Sequence, residues 1–323
     1  MTPSILIITS KMDFSVDYIV NKLNSQKIPY YRFNTEDIGR GLDIEFLISE
    51  NSFILHDKHK NLSLNLLNFS AVYYRRPVIA PFPRSLTIEE RVYFYNEHYT
   101  LLEFIYHLLQ NRFWLNDVYD IRFAENKPYQ LMLAQNIGFR IPESIISNIP
   151  QPVRSLYAKY SNIIFKPIKM GLIKDRESSS SVLFTTRVDN TFLEALDSII
   201  SLPTYFQQEV RKKYDVRVTV VGREVFAAFI CSQEKVESQL DWRRTKQLLP
   251  HKQVKLPLEI ERKCLTLCKE LNLQFAAIDL ICDLLENYWF LEVNPNGQWV
   301  WIEQLLGYPI SDRIIKILCE GGR

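Results

Sequence analysis

Short apolar runs alternate with amphipathic segments in the first third of the chain. Residues 5–10 form a short, largely apolar run, which is typical of a strand covered on both faces. Residues 13–23 repeat apolar side chains at helical spacing, and residues 30–33 have the pattern of a second strand. This order predicts a right-handed βαβ unit that opens a parallel sheet. The turn at residues 10–13 has no glycine, so we predict no mononucleotide site there.

The next region continues with strand patterns. Residues 43–55 and 62–67 predict a strand pair joined by a polar turn. Residues 71–74 predict a further strand, which ends at Arg75 and Arg76. Two arginines at a strand end are suited to binding an anion, but they are equally compatible with plain surface charges. The pattern alone does not decide between these two interpretations.

Two helices are predicted from helical periodicity and from their terminal residues. The first spans residues 87–109, with Thr87 as its N-cap and Glu90 completing a capping box. Its aromatic side chains favour core and interface packing over a cofactor site. The second spans residues 127–136 and ends at Gly138, because glycine readily adopts the left-handed conformation that stops a helix.

The middle of the chain combines a strand that ends in a lysine with a serine-rich segment. Residues 148–153 contain two prolines and predict a boundary between lobes. Residues 162–167 predict a strand that delivers Lys166, and the polar segment 169–181 leads to a returning strand at residues 182–186. A lysine beneath a mobile loop is typical of a phosphate cover. A plain solvated loop is the alternative, since serine-rich loops are commonly that.

The remaining elements follow from the same periodicities. They are predicted helices at residues 190–200, 260–271, 299–306 and 310–318, a strand at residues 205–210, and a hairpin of residues 215–221 and 224–231 around Gly222. Asp215 and Arg217 leave the same face of the first hairpin strand, because side chains alternate along a strand.

Three oxygen-bearing side chains near the carboxyl end are predicted to meet on a strand pair. Glu292 and Asn294 are two residues apart, so both leave the same face of an extended strand. Asp279 lies in an apolar run that pairs with this strand across a turn at residues 285–287. These oxygens suit a hard cation such as Mg²⁺, which leaves room for substrate phosphates. A single carboxylate at a strand end is more often a turn residue, but two buried like charges require a cation.

Composition and charge argue against several other classes of protein. Of 323 residues, 47% are hydrophobic and 24% are charged, as in an ordinary soluble globular protein. The net charge of +2 gives no support for a nucleic-acid binder. No stretch is long enough to span a membrane, and the first residues lack a signal-peptide pattern. The five cysteines are scattered, and we expect Cys264 and Cys268 to be buried packing residues of a cytoplasmic protein with reduced thiols.

Taken together, these residues resemble the ATP-grasp ligases. The residues that carry the resemblance, in the order of that family, are Lys127, Lys166, Gln208, Glu209, Val210, Arg217, Asp279, Glu292 and Asn294. Segments that further resemble the microviridin-type (graspetide) peptide ligases are residues 73–77, 125–127, 215–218, 241–243 and 294–299. The resemblance covers most of the chain and is densest from residue 127 to residue 304. One departure is a serine-rich loop where many ATP-grasp proteins have several glycines, which shifts phosphate contact towards Lys166, Lys169 and Lys174.

The resemblance implies a fold and a set of residue roles. The fold is α/β (α+β), an ATP-grasp fold with an N-terminal pre-ATP-grasp parallel-sheet domain at residues 1–120, a central lobe at 121–205 and a C-terminal lobe at 206–323. The implied cofactors are ATP and Mg²⁺. The implied roles are phosphate contacts by Lys127 and Lys166, adenine contacts by Gln208, Glu209 and Val210 between Ile164 and Leu291, a place near the ribose for Asp215, and metal binding by Asp279, Glu292 and Asn294. Arg217 would stabilise the transferred phosphoryl group or the acyl phosphate, with a cross-strand pair to a carboxylate as the alternative.

The resemblance also implies a substrate, namely a precursor peptide made of a leader and a core. An Asp or Glu side chain of the core would become an acyl phosphate and then be joined to a Ser/Thr hydroxyl as an ω-ester, or to a Lys amine as an ω-amide. Arg243 and Arg244 are candidates to hold acidic core side chains, with a solvated basic loop as the alternative. Glu194 and Asp197 are candidates for docking the leader.

Two further expectations concern assembly and competing functions. The long aromatic helix at residues 87–109 suggests a homodimer, and we expect neither nucleic acid nor membrane as a partner. One competing function is a ligase that joins a free amino acid to a small molecule or protein tail, as in glutathione synthetase or the ribosomal-protein glutamate ligases. Another is a non-catalytic ATP-binding module, which predicts an incomplete metal set.

Overall fold

The chain divides into two compact units, seen in a computed structural model that describes residues 5–83, 85–169, 172–174, 180–182, 184–245 and 247–322. The first unit contains residues 1–121, 272–275 and 298–323. The second contains residues 122–271 and 276–297. The three-lobe division at residues 1–120, 121–205 and 206–323 remains a prediction.

The first part of the chain forms two sheets with helices beside them. Its elements are β1 (Ile5–Thr9), α1 (Phe14–Ser25), β2 (Tyr30–Asn34), β3 (Leu42–Leu47), β4 (Ser52–Asp57), β5 (Leu62–Asn65), β6 (Ala71–Tyr74), α2 (Ile88–Leu108), β7 (Phe113–Trp114) and α3 (Val118–Ala124). One sheet has the order β2-β1-β6-β7 with parallel pairing, and the other is an antiparallel sheet β3-β4-β5. The predicted βαβ start and parallel sheet are therefore confirmed.

The apolar pattern explains why these elements form. Every residue of β1 is buried, as a strand covered on both faces requires. Asp13 is the N-cap of helix α1, and its side chain accepts a hydrogen bond from the Ser15 backbone N–H at 3.0 Å. Helix α2 has Thr87 as its N-cap and contains the predicted capping box, in which the Glu90 side chain accepts a hydrogen bond from the Thr87 backbone N–H. Both caps satisfy backbone donors that a helix start leaves unpaired.

One predicted strand in this part is wrong. Residues 43–55 are not continuous, because β3 and β4 are separated by a 3-10 turn at Ile48–Glu50. Asn51 follows with a φ of 51°, in the left-handed region, and this reverses the chain. The apolar alternation is the same on both sides of the turn, so it does not reveal the interruption.

The second part of the chain is built mainly from antiparallel strands. Its elements are α4 (Lys127–Ile137), β8 (Ser144–Ser147), α5 (Pro150–Tyr160), β9 (Ile163–Lys166), β10 (Leu172–Lys174), β11 (Ser180–Val182), β12 (Thr186–Arg187), α6 (Asn190–Glu194), β13 (Thr204–Gln208), β14 (Lys212–Val221), β15 (Glu224–Ile230), β16 (His251–Val254), α7 (Leu258–Glu270), β17 (Phe275–Asp283) and β18 (Tyr288–Asn294). The sheet orders are β12-β9-β13-β8, β16-β15-β14-β17-β18 and the pair β10-β11. The predicted stop of α4 at Gly138 is confirmed, with φ 94°.

Three predictions in this part need correction. The segment 148–153, predicted as a boundary between lobes, lies inside the second unit, and its prolines open α5, where the first helical turn tolerates proline. The predicted helix 190–200 is α6 followed by a 3-10 helix at Leu196–Ser201, whose buried Leu196 and Ile199 have the three-residue spacing of that helix. The predicted strand 182–186 is not continuous, since β11 ends at Val182 and β12 begins at Thr186.

Much of the predicted phosphate-covering segment 169–181 lies outside the described residues, as do the side chains of residues 172–174 and 180–182. Within it, β10 and β11 form an antiparallel pair.

Two helices close the chain and belong to the first unit. They are α8 (Val300–Leu306) and α9 (Ile310–Gly321). Helix α9 packs against α1 and β6. Glu303 of α8 is buried and accepts hydrogen bonds from Tyr18 Oη at 3.1 Å and Lys22 Nζ at 3.0 Å, both on α1. In the part of the chain that the structure describes, no helix has the length and apolar character needed to cross a bilayer.

The capping box of α2 gives a testable prediction. Thr87→Ala removes the side-chain acceptor of the Glu90 N–H and should lower the free energy of unfolding by ~1 kcal/mol. The urea midpoint measured by circular dichroism checks this, with Thr87→Ser as the control that keeps the hydroxyl. Equal midpoints for Thr87→Ala and the unchanged protein would show that the cap does not contribute to stability.

Candidate active site

The hairpin of β17 and β18 brings the three predicted metal ligands together. Asp279 lies opposite Glu292 in the strand register, and a bulge between Asp279 and Leu280 follows. The Asn294 Nδ2 donates to Asp279 Oδ2 at 3.1 Å and lies 3.4 Å from Glu292 Oε1. The turn that joins the strands is closed by Asp283, whose carboxylate accepts several bonds from residues 285–289. The predicted arrangement of two acids and one amide is therefore present.

The chain turns sharply directly after these ligands. The Gly297 N–H donates to Asn294 O at 3.1 Å. A Cβ at position 297 would lie 2.3 Å from the Ala277 Cβ, which is far inside van der Waals contact. A glycine is therefore required where the ligand strand leaves its neighbour.

Each carboxylate has its own cationic partner. Arg217 Nη1 lies 2.9 Å from Asp279 Oδ1, and Lys127 Nζ lies 3.1 Å from Glu292 Oε2. Burial raises the pKa of Asp279, and the guanidinium of Arg217 only partly opposes this effect. Burial also acts on Glu292, but Lys127, Arg243 and Lys166 outweigh it, so the pKa of Glu292 is lowered. Asp279 therefore carries the negative charge that is less well compensated.

Lys166 belongs to the same charged cluster. It ends β9, and its Nζ donates to Gln207 Oε1 at 2.7 Å. Burial lowers the pKa of Lys166 to about 8, with Glu292 acting in the opposite direction and Lys127 adding to the decrease. Two lysines and the two carboxylates thus share one poorly solvated region.

The predicted adenine segment continues from β13. The Gln208 N–H donates to Glu143 O at 2.8 Å, and the Glu209 N–H donates to Asn162 O at 3.0 Å. The Glu209 carboxylate is paired with Arg187 at 2.6 Å. Because the Glu209 N–H is already engaged, the groups left to meet an adenine edge are its carbonyl oxygen and the Val210 backbone. Of the two predicted apolar walls, Ile164 is buried and Leu291 is half-buried.

Asp215 is buried beside Lys212, and its side chain is already occupied. Its carboxylate oxygens lie 2.8 Å and 2.7 Å from Lys212 Nζ. The same ammonium lies 3.3 Å from Leu240 O. A ribose contact by Asp215 would therefore have to be made in competition with this ion pair.

The two adjacent arginines, Arg243 and Arg244, have different surroundings. Arg243 donates to both carboxylate oxygens of Asp241, from Nε and Nη2, each at 2.8 Å. This pairing raises the pKa of Arg243, as do the charges of Glu292 and Asp279. Arg244 instead donates to Thr185 O and to Thr186 Oγ1 and lies over the Phe184 ring. Only Arg243 is thus coupled electrostatically to the two acids.

The remaining candidates do not join this cluster. Glu194 and Asp197 are exposed near α6, and Asp197 lies 4.0 Å from Arg154. Lys169 is exposed, and the side chain of Lys174 lies outside the described residues. Arg75 belongs to the first unit and is buried 3.5 Å from Asp13, so the surface-charge interpretation is wrong for Arg75.

Although Asp241 lies in a segment that resembles the graspetide ligases, sequence reasoning assigned no supporting role to three polar residues of the site. They are Gln207, Lys212 and Asp241, which bond to Lys166, Asp215 and Arg243 respectively. The sequence pattern marks none of these pairings. Gln207 begins a polar run with Gln208 and Glu209, and Lys212 and Asp241 also lie in polar segments, so all three have the pattern of solvated residues.

Comparison with protein families and solved structures adds independent information. Residues 4–122 match the family described as the MvdD pre-ATP grasp domain, and residues 124–318 match the RimK-like ATP-grasp domain. None of the curated proteins is similar enough in sequence to count as a match. The match to the RimK-like domain confirms the ATP-grasp fold that was inferred from the residues.

Solved structures are similar over almost the whole chain. The macrocyclase MdnC of Microcystis aeruginosa MRC, bound with precursor peptide MdnA, is 27% identical with a TM-score of 0.86, over 98% of this chain and 99% of that one. A Chryseobacterium gregarium RiPP-associated ATP-grasp ligase, in complex with ADP and a leader and core peptide, is 27% identical with a TM-score of 0.88, over 98% and 97%. The macrocyclase MdnB of Microcystis aeruginosa MRC is 25% identical with a TM-score of 0.80, over 98% and 99%. The chain therefore belongs to the RimK-like ATP-grasp family, and an MvdD-type pre-ATP-grasp domain precedes its ATP-grasp domain.

Proposed function

We propose that this chain is an ADP-forming ligase that closes rings in a ribosomally made precursor peptide. It activates Asp or Glu side chains of the peptide as acyl phosphates and joins them to Ser/Thr hydroxyls or Lys amines. The observation that carries this proposal is the half-buried cluster of Asp279, Glu292 and Asn294 surrounded by lysines and arginines. The full-length similarity to a macrocyclase and to a ligase bound to leader and core peptides supports the peptide substrate.

The donor set fits Mg²⁺. Two carboxylates and one amide offer oxygen ligands, which this ion prefers, and they leave positions for phosphate oxygens. Desolvation raises the pKa of Asp279, so its negative charge is unfavourable in this half-buried position, and a divalent cation would offset that effect. Bound there, Mg²⁺ would neutralise charge on the phosphates of ATP. In the structure the Asn294 Nδ2 faces the acids, so a rotation of this amide presents its oxygen.

The protein's own cations bind and orient the reacting groups. Lys127 and Lys166 bind the phosphates, since both ammonium groups lie in the charged cluster around Glu292. Arg217 and Arg243 neutralise the peptide carboxylate and the acyl phosphate that forms from it. A carboxylate oxygen attacks the γ-phosphorus and ADP leaves. The hydroxyl or amine then attacks the acyl carbon, phosphate leaves, and the nucleophile loses its proton.

The position of the peptide follows from the same contacts. Arg243 is held by Asp241 and faces the charge of both acids, so it is the better candidate for binding a core carboxylate. Arg244 already donates hydrogen bonds to Thr185 O and Thr186 Oγ1. We therefore assign it to shaping the site and not to binding the peptide. The exposed acids Glu194 and Asp197 remain the candidates for the leader. The homodimer also remains a proposal, for which the exposed Ile88, Val92, Tyr95 and Tyr99 of α2 offer a surface, since their spacing places them on one face of the helix.

Loss of water from a peptide substrate tests the proposal. The probe is the peptide of a short neighbouring reading frame that carries Thr, Ser or Lys together with Asp or Glu. With ATP and Mg²⁺, we expect mass spectrometry to show one water lost per ring. Glu292→Gln should slow this by about a hundredfold or more, because it removes a negative charge that would hold Mg²⁺ beside the phosphates.

The matched control is Glu286→Gln in the exposed turn of the same hairpin. It should retain full activity. Full dehydration by Glu292→Gln would contradict the assigned site, and ligation of a free amino acid without a leader requirement would favour the competing function.

The lowered pKa of Lys166 predicts a pH dependence. The Lys166 side chain is a charged ammonium below about pH 8 and loses its proton, and with it the charge, above that pH. Nucleotide affinity should therefore fall by up to about tenfold per pH unit above that value. Lys166→Arg stays charged and should make the affinity nearly independent of pH in this range. Titration calorimetry with ADP at constant Mg²⁺ measures both, and Lys213→Arg, at an exposed lysine, is the control. A flat profile for the unchanged protein would show that Lys166 does not contact the phosphates.

A further inference from the structure

Gln130 binds the backbone of the strand that carries two of the candidate metal ligands. Its Oε1 accepts from the Val293 N–H at 2.9 Å, and its Nε2 donates to Val293 O at 2.8 Å. Val293 lies between Glu292 and Asn294. A single side-chain amide therefore satisfies both backbone groups of the residue between the two ligands.

The position of β18 explains why such a partner is needed. The strand lies at the edge of its sheet, next to β17. Among the described residues, its outer backbone meets the chain at Arg140, whose carbonyl accepts from the Phe290 N–H at 2.8 Å, and no strand of the sheet reaches Val293 from that side. Val293 is buried, and buried backbone N–H and C=O groups require hydrogen-bond partners. Gln130 is also buried, and it takes the place of a further strand at this one residue.

The same helix holds the neighbouring ligand by its side chain. Gln130 and Lys127 are three residues apart on α4 and so lie on one face. Lys127 binds the Glu292 carboxylate at 3.1 Å, while Gln130 binds the next residue through its backbone. One turn of α4 therefore fixes both the direction of the Glu292 side chain and the position of the β18 backbone that carries it.

We propose that Gln130 is a positioning residue for the metal site, which it holds in the geometry needed to bind a divalent cation. This inference rests on the proposed function, because it requires that Glu292 and Asn294 bind the cation. Partners that orient metal ligands typically change metal affinity by about 10–100-fold when they are removed. Gln130 itself touches neither metal nor nucleotide, so its loss should affect the cation more than ADP.

The test uses Gln130→Met, which keeps the side-chain length but removes both hydrogen bonds to Val293 and the bond that Nε2 donates to Ala124 O at 2.5 Å. Binding of Mn²⁺ in the presence of ADP is measured by electron paramagnetic resonance, and binding of ADP without metal is measured by calorimetry. We expect Mn²⁺ affinity to fall by about 10–100-fold while metal-free ADP affinity changes by less than about twofold. Gln135→Met, at an exposed position on the same helix, should match the unchanged protein in both measurements.

The outcomes separate this inference from the proposed function. If the unchanged protein fails to bind Mn²⁺ with ADP, the metal assignment itself fails, and the inference fails with it. If the unchanged protein binds Mn²⁺ and Gln130→Met binds it equally well, only the inference is overturned. A parallel loss of Mn²⁺ and metal-free ADP affinity also overturns it, since that indicates a general structural role. Should Gln130→Met not fold, Gln130→Asn, whose shorter amide cannot reach both Val293 groups, provides the same comparison.

Discussion

Two carboxylates placed opposite each other in a poorly solvated region are the constraint on which this site depends. Removing an ionised group from water costs several kcal/mol even after the surroundings relax, and two like charges add their repulsion. Asp279 and Glu292 are nonetheless adjacent across β17 and β18. They remain compatible with folding because Arg217 and Lys127 each pair with one of them. The compensation is uneven, and the raised pKa of Asp279 marks where a further positive charge would be accommodated.

The fold supplies these cations from elements that are distant in sequence. Lys127 begins α4, Lys166 ends β9, and Arg217 lies within β14. Arg243 lies in a 3-10 helix at Trp242–Arg244, after β15, and is held in place by Asp241. Each cation is therefore positioned by a different hydrogen-bonded element, while both acids are carried by one hairpin. Such an arrangement is suited to phosphoryl transfer, where positioning and charge stabilisation account for most of the catalysis.

Sequence reasoning succeeded where one local pattern determined the outcome. Glu292 and Asn294 share a strand face because side chains alternate, and a short turn fixes the register that brings Asp279 opposite. The capping box of α2 is equally local. Prediction failed where distant partners decide, since nothing near Asp215 indicates that Lys212 occupies its carboxylate, and nothing near Arg244 indicates its bond to Thr185. The prolines of α5 were interpreted as a boundary between lobes because proline is as acceptable in a first helical turn as between domains.

The most direct test of the central claim is equilibrium binding of ADP with and without Mg²⁺ to the unchanged protein and to Asp279→Asn. The charge of Asp279 is the least compensated in the site, so it should contribute most to binding the cation. We predict that Mg²⁺ strengthens ADP binding to the unchanged protein and that this enhancement is lost in Asp279→Asn, while metal-free binding is retained. An equal enhancement in both proteins, or no effect of Mg²⁺ on the unchanged protein, would contradict the account.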